Sequence, residues 1–393
     1  MITTTDILKA YFDCRKNKRR TASAVVYEMD YESGVIDLRD RINTRTYMPG
    51  KSICFVVTRP RYREVFAASF TDRIVHHYIA QKLEPLFEKI FSPRTFNCRK
   101  GKGQLYGVEA LKNDIRECSN SYKKDCYVLK LDLKGFFMSI CQQMLADMVD
   151  RFIVDYYDGP DKEDLRYVCR VVVLHKPELD CERHSPARLW DGLPANKSRF
   201  TNERGYGIAI GNLFAQLFAN FLLNVLDWFL EELRIKYHGR YVDDFYMAHT
   251  DKKVLLSAIP KIRAKLAEYN LRLNEKKFYL QHYRKGVELT GAVVKPHRVY
   301  ACNRNINNFA AAVAKLNRSK SIEEIEKAVC SINSYMGLLR HYDEYKTRRR
   351  IINRINPAIM EYLRIKGDYR SIAIKKQYRM RAKTLERIRN GDY

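Results

Sequence analysis

The chain has ten cysteines in 393 residues, but no two stand at the two-residue gap of a zinc knuckle or redox pair. Neither a structural zinc site nor a disulfide framework is therefore expected. Cys169, His175, Cys181 and His184 come nearest to a metal cluster, and their spacing is irregular. No stretch reaches the roughly 18 uninterrupted apolar residues of a membrane span, and the N-terminus has no apolar signal core, so a cytoplasmic protein without a membrane partner is expected. Internal repeats and low-complexity linkers are lacking. The glycine-punctuated basic loop Arg94–Gly103 has no Lys-Ser/Thr after its second glycine, which excludes a P-loop nucleotide hydrolase.

Acidic residues are also in short supply, with 46 Asp and Glu against 72 Lys and Arg, a formal net charge of +26. With 46% hydrophobic residues, the chain reads as a folded protein that faces a polyanion, nucleic acid before all others. The basic residues cluster. Arg15, Lys16, Lys18, Arg19 and Arg20 form one run, and residues 345–393 hold 15 Lys and Arg against 4 Asp and Glu. Tyr is abundant at 27, which suits base stacking and strands equally.

Read in order, residues 1–45 form a helical arm. A strand at Ile53–Val57 runs into Arg59-Pro60-Arg61-Tyr62-Arg63, whose alternating cations suit a triphosphate or a template backbone. Helices are predicted at Phe70–Phe91, Gly107–Cys118 and through 141–174, then an irregular insertion at 175–206 pinned by Trp190 and Phe200. Gly207–Leu230 opens on a glycine-rich turn and becomes an apolar helix with one polar stripe, Asn212, Gln216, Asn220, Asn224 and Asp227, which favours a core helix with a functional edge over a membrane span. Leu255–Asn270 reads as an amphipathic helix, Leu271–Leu280 and Val287–Pro296 as short strands, and 303–393 as a basic helical lobe.

Three acids stand out against strand-forming surroundings. Asp132 ends the buried strand Tyr127–Leu131, and Asp243 with Asp244 interrupts the run Tyr241-Val242…Phe245-Tyr246-Met247, the pattern of a hairpin whose turn presents carboxylates. Two like charges side by side in apolar surroundings are costly unless a cation compensates them. Taken alone each also fits an ordinary turn or helix cap. Together, on two strand ends, they meet the needs of two-metal phosphoryl transfer.

With LKLDLKGFF, YVDD, GIAIGNLFAQ, LNEKKFYL and LTGAVVKPHRVY in that order, the chain resembles the reverse transcriptases from about residue 10 to 350. The resemblance implies an α+β right-hand polymerase: an N-terminal basic arm at 1–45, fingers at 46–110, a palm with antiparallel sheet at 111–302, and a helical basic thumb at 303–393. It implies RNA-directed DNA synthesis from template RNA, a DNA or RNA primer and dNTPs, with two Mg2+ ions, or Mn2+ in their place, held by Asp132, Asp243 and Asp244. Phe137 would be the aromatic gate against a 2′-hydroxyl. Arg61 and Arg63 would grip the triphosphate, and Lys277 would lie near the leaving pyrophosphate. Gly211, Asn212 and Gln216 would lie beneath the nucleotide and template base, and Tyr241 and Gly291 would support primer and template.

Ile-Gly-Asn-Leu-x-x-Gln, LPANKSRF and INSYMGLLRHYDEYKTRRR resemble enzymes of diversity-generating retroelements, which copy a structured RNA, often with errors at adenines, alongside a small basic accessory protein. Ala215, where that subgroup usually has Ser, departs from the pattern. Bacterial antiphage defence enzymes share the palm. No RNase H acids and no Cys/His nuclease follow, so strand removal and target cleavage are expected from other proteins. A non-catalytic nucleic-acid-binding scaffold predicts loss of an acid or of the gate. An RNA-dependent RNA polymerase typically has Gly before the acids and a smaller gate, where this chain has Val242 and Phe137.

Overall fold

The structure is a computed structural model, and it describes residues 1–16, 18–58 and 62–378. The chain divides into two compact units, one of Met1–Gly103 with Leu129–Tyr279 and the other of Gln104–Val128 with Leu280–Tyr393. Each unit takes its chain from more than one of the regions expected from the sequence.

The first unit opens with the helix Thr4–Arg15, closed by a capping box in which the Thr3 hydroxyl accepts from the Asp6 N–H and the Asp6 carboxylate accepts from the Thr3 N–H. Two backbone donors that a helix start leaves unpaired are thereby satisfied. The helix Phe70–Ile90 buries Ile74, Val75, Tyr78, Ile79, Leu83 and Phe87, the spacing of a single helical face. Its Phe87 stacks on Phe221 at 4.5 Å, and Phe152 meets Phe221 at 5.3 Å. Those rings join Phe70–Ile90 to the helices Gln142–Tyr156 and Leu213–Glu232, each buried ring contributing roughly 1.5–3 kcal/mol. Leu213–Glu232 is long and apolar enough to cross a membrane, and 72% of its apolar window is buried inside the protein.

Two sheets give this unit its working edges. Ser52–Val57 pairs antiparallel with Arg63–Ala67 and parallel with Cys181–Arg183. The stretch 175–206, expected to be irregular, therefore supplies a strand, while Trp190 and Phe200 pack on the Cys54, Phe66 and Ala209 core as anticipated. In the second sheet, Asp244–His249 lies between Tyr237–Tyr241 and the strand Tyr127–Asp132, whose last four residues belong to this unit.

The second unit contains the helices Gln104–Cys118, Asn303–Leu316, Ile322–Leu339 and Tyr345–Ile352 and a three-stranded meander, Val287–Leu289, Ala292–Lys295 and Arg298–Ala301. The expectation that everything from 303 onward is helical is corrected by an antiparallel hairpin, Leu363–Lys366 with Ser371–Ile374. Alternating Leu363 and Ile365 gave the strand signal, hidden among basic residues. Asn333 fixes that hairpin to its helix, donating to the Ile372 carbonyl at 2.9 Å and accepting from the Ile372 N–H at 2.8 Å.

Candidate active site

Tyr241 pairs with Asp244 across the hairpin, so only Val242 and Asp243 form the turn. A right-handed twist favours two-residue turns with a positive φ at the first position, usually given to glycine. Here Val242 takes it, at φ +59°, and a β-branched residue held there costs of order 1–3 kcal/mol. The turn is gripped at both backbone groups: the Val242 N–H donates to Asn97 Oδ1 at 2.8 Å, and its carbonyl accepts from Arg240 Nη1 at 3.0 Å.

The turn and the end of the neighbouring strand bring Asp243, Asp244 and Asp132 to one cleft of about 1120 Å³. Burial, then the Asp132 charge, raise the proton affinity of Asp243, against the pull of its own N–H, Lys277 and Arg63. Asp244 is pushed up to about 6, first by burial and then by the adjacent Asp243, with Asp132 close enough to hydrogen-bond its protonated form. Asp132 is itself buried, and its Oδ2 accepts from Lys277 Nζ at 2.6 Å and Asn274 Nδ2 at 3.1 Å.

These are hard oxygen donors on strand ends, the donor type a divalent cation takes, although Asp132 is already paired with Lys277. Among the described residues no group of three or more His, Cys, Asp or Glu side chains is placed so as to hold a metal ion. A metal held by two or fewer of these carboxylates would take its remaining ligands from substrate phosphates and water.

Phe137, Arg63, Gly211, Gln216, Tyr241 and Lys277 line the same cleft. Phe137 is half-buried beside Phe136, ring centroids 5.2 Å apart, and its carbonyl accepts from the Ile208 N–H at 2.8 Å. Gly211, at φ +120°, lies so close to the Arg63–Ala67 strand that a Cβ would stand 2.7 Å from Val65 and 2.8 Å from the Phe66 carbonyl oxygen. Only glycine brings that turn under the cleft. Gln216 is exposed and accepts from Cys98 Sγ at 3.1 Å.

Asn212 turns the other way. It is 9% exposed and its Oδ1 accepts from the Ala68 N–H at 3.3 Å, so its side chain braces the backbone and does not line the cleft. Lys277 stands on a 3-10 turn, Glu275–Lys277, within a segment expected to be a strand. Gly291 belongs to the second unit, at φ +89°, and its carbonyl accepts from the Cys302 N–H at 2.9 Å and Asn305 Nδ2 at 3.1 Å. Arg61 lies outside the described residues.

Sequence reading missed several residues at this cleft. Lys134, Lys197 and Arg272 add cations to its lining, and Asn274 reaches Asp132. Asn97 and Arg240 carry no motif of their own in the sequence, yet both grip the turn. An arginine in a short strand, thirteen residues after the Asp227 of the polar-striped helix, was the signal available for the latter.

The polymerase fold and its acid-edged cleft point to the class of nucleotidyltransferases. The sequence model of the family described as reverse transcriptase (RNA-dependent DNA polymerase) matches residues 57–294, more than half of the chain, and the chain belongs to that family. It is an RNA-directed DNA polymerase, for which an RNA template, a primer and nucleotides are the substrates and divalent metal ions are generally used. Among curated proteins, no match was found.

Proposed function

We propose that this reverse transcriptase copies a structured RNA within a diversity-generating retroelement, and that Asp132, Asp243 and Asp244 carry the nucleotidyl transfer. The observation that supports the catalytic part is the convergence of the three carboxylates in one cleft that Phe137 and Arg63 also line. Two magnesium ions held by these oxygens, or manganese in their place, would supply a lowered pKa at the primer 3′-hydroxyl and charge neutralisation at the triphosphate.

The chain's own residues supply the rest. Asp132 and the hairpin carboxylates set the positions of the ligand oxygens from two adjacent strands. Lys277, paired with Asp132 at 2.6 Å, lines the cleft and would offer a cation to the leaving phosphate. Arg63 presents a cation from the strand that Gly211 packs against, and the Phe137 ring stands at the cleft wall as a steric test of the sugar.

The subgroup rests on Ile210-Gly211-Asn212-Leu213 with Gln216, on LPANKSRF and on the INSYMGLLRHY segment. The small basic accessory protein belongs to this same reading. Sequencing cDNA made by the purified chain, with and without such a partner, on an RNA rich in all four bases tests it. Substitutions concentrated at template adenines are expected. Errors spread evenly over the bases in both preparations would refute the retroelement reading and leave the polymerase one standing.

A further inference from the structure

We propose that Asn97 and Arg240 are positioning residues that hold the Val242–Asp243 turn in its working geometry, through a buried polar ring built on the helix Leu213–Glu232. The inference rests on the reading of Asp243 as a metal ligand.

The ring starts at Asp227, fully buried, against Arg240, 1% exposed. Arg240 Nε donates to Asp227 Oδ1 at 2.8 Å and Nη2 to Oδ2 at 2.6 Å, while Thr95 Oγ1 donates to the same Oδ2 at 2.6 Å. The guanidinium's remaining nitrogen, Nη1, points away from this pair, donating to the Val242 carbonyl at 3.0 Å and to Asn220 Oδ1 at 3.3 Å. Asn220 and Asn97 exchange hydrogen bonds: Asn97 Nδ2 donates to Asn220 Oδ1 at 2.8 Å, and Asn220 Nδ2 to the Asn97 carbonyl at 2.9 Å. The free oxygen of Asn97 then accepts the Val242 N–H at 2.8 Å, which closes the ring.

Backbone pairing sets the same register. Arg240 donates to the Arg94 carbonyl and accepts from the Phe96 N–H, each at 2.9 Å. Gly239 leaves room for the Phe96 ring, which a Cβ would meet at 2.5 Å. Asn220 and Asp227 stand seven residues apart, two turns along one helix face.

A buried ion pair is weak evidence for stability, since apolar residues of similar volume often serve as well. What an apolar replacement cannot do is hold both backbone groups of a β-branched residue at positive φ. Such a conformation persists only where its surroundings over-determine it. The polar ring supplies that constraint one residue before Asp243.

The test compares the full-length chain with Asn97→Ala, Val242→Gly and the double variant, because Arg240→Ala would strand Asp227 in the core and unfold the protein. Metal-free amide exchange, single-nucleotide incorporation on an RNA template, RNA affinity and the melting temperature are measured for each. Asn97→Ala is expected to lower the maximal incorporation rate about tenfold, equivalent to about 1.4 kcal/mol, with nucleotide KM held within about twofold. It should also speed exchange of the Val242 amide without altering RNA affinity. Glycine accepts positive φ without strain, so in the Val242→Gly background the same substitution should have a much smaller effect on rate.

Unchanged rate and unchanged exchange in Asn97→Ala would overturn the proposal. So would an equal loss in both backgrounds, or a fall in rate that merely tracks a fall in melting temperature. Asp243→Asn runs alongside. Synthesis retained in that variant would refute the reading of the site, while the exchange comparison would still decide whether Asn97 holds the turn.

Discussion

Replacing Asp243 with Asn should make the metal-free protein more stable while removing its activity. The carboxylates in the cleft repel one another, and the adjacent Asp243 charge is the second cause, after burial, that pushes Asp244 up to about 6. At about 1.4 kcal/mol per tenfold change in proton affinity, the whole rise is worth about 3 kcal/mol at neutral pH. Burial accounts for the larger part, and the cleft is open to solvent, which screens the remainder. About 1 kcal/mol is left for the Asp243 charge. For a unit of this size that corresponds to a rise in melting temperature of about 2–4 °C. The assay is thermal unfolding in EDTA and in saturating Mg2+, at constant ionic strength and pH 7.5. Wild type should gain more from Mg2+ than the variant, because a ligand that binds only the folded state stabilises it in proportion to occupancy. A variant that melts below wild type in EDTA, with the same Mg2+ increment as wild type, would refute the repulsion argument and the metal-ligand assignment together.

Three further outcomes follow from the same geometry. Asp244 binds its proton more tightly folded than unfolded, so the metal-free protein should lose stability as pH rises from about 4 to about 6, and Mg2+ affinity should weaken as pH falls through the same window; melting curves and Mg2+ titrations across that window and up to about pH 7.5 check both. Phe137→Ala should admit ribonucleotides, narrowing discrimination against them by about 10–100-fold with little effect on dNTP incorporation; unchanged sugar selectivity in competition assays would place the gate elsewhere. Asp227→Ala leaves Arg240 buried without its partner and should cost about 3–5 kcal/mol, read as a lower urea midpoint at constant slope; a midpoint equal to wild type would show that the pair carries no stability.

That the three acids share one cleft was legible because the signal is local: Asp132 ends an apolar strand, and Asp243 with Asp244 breaks one, so burial and charge conflict within a few residues. Helices such as Phe70–Ile90 were legible from the period of their apolar positions. What the sequence hid was pairing across distance. Asp227 and Asn220 were visible as a polar stripe, but only the fold shows that the stripe faces Thr95, Asn97 and Arg240. Asn212 was grouped with Gly211 and Gln216 by position, yet the turn sends its side chain to the Ala68 backbone. The C-terminal hairpin Leu363–Ile374 was masked because four-residue strands with charged alternate positions carry little periodic signal. Lys277 was expected on a strand, but Asn274 caps a 3-10 turn by accepting from the Lys276 N–H, and that local side-chain bond competes with strand pairing.

The most direct test of the site is primer extension by the purified chain on an RNA template with Mg2+ and dNTPs, wild type beside Asp243→Asn. The account predicts DNA synthesis by wild type and a loss of at least about 10³-fold in the variant, with RNA affinity unchanged. Synthesis at comparable rates by both proteins would contradict it, because the carboxylates that converge in the cleft would then not be the groups that carry the reaction.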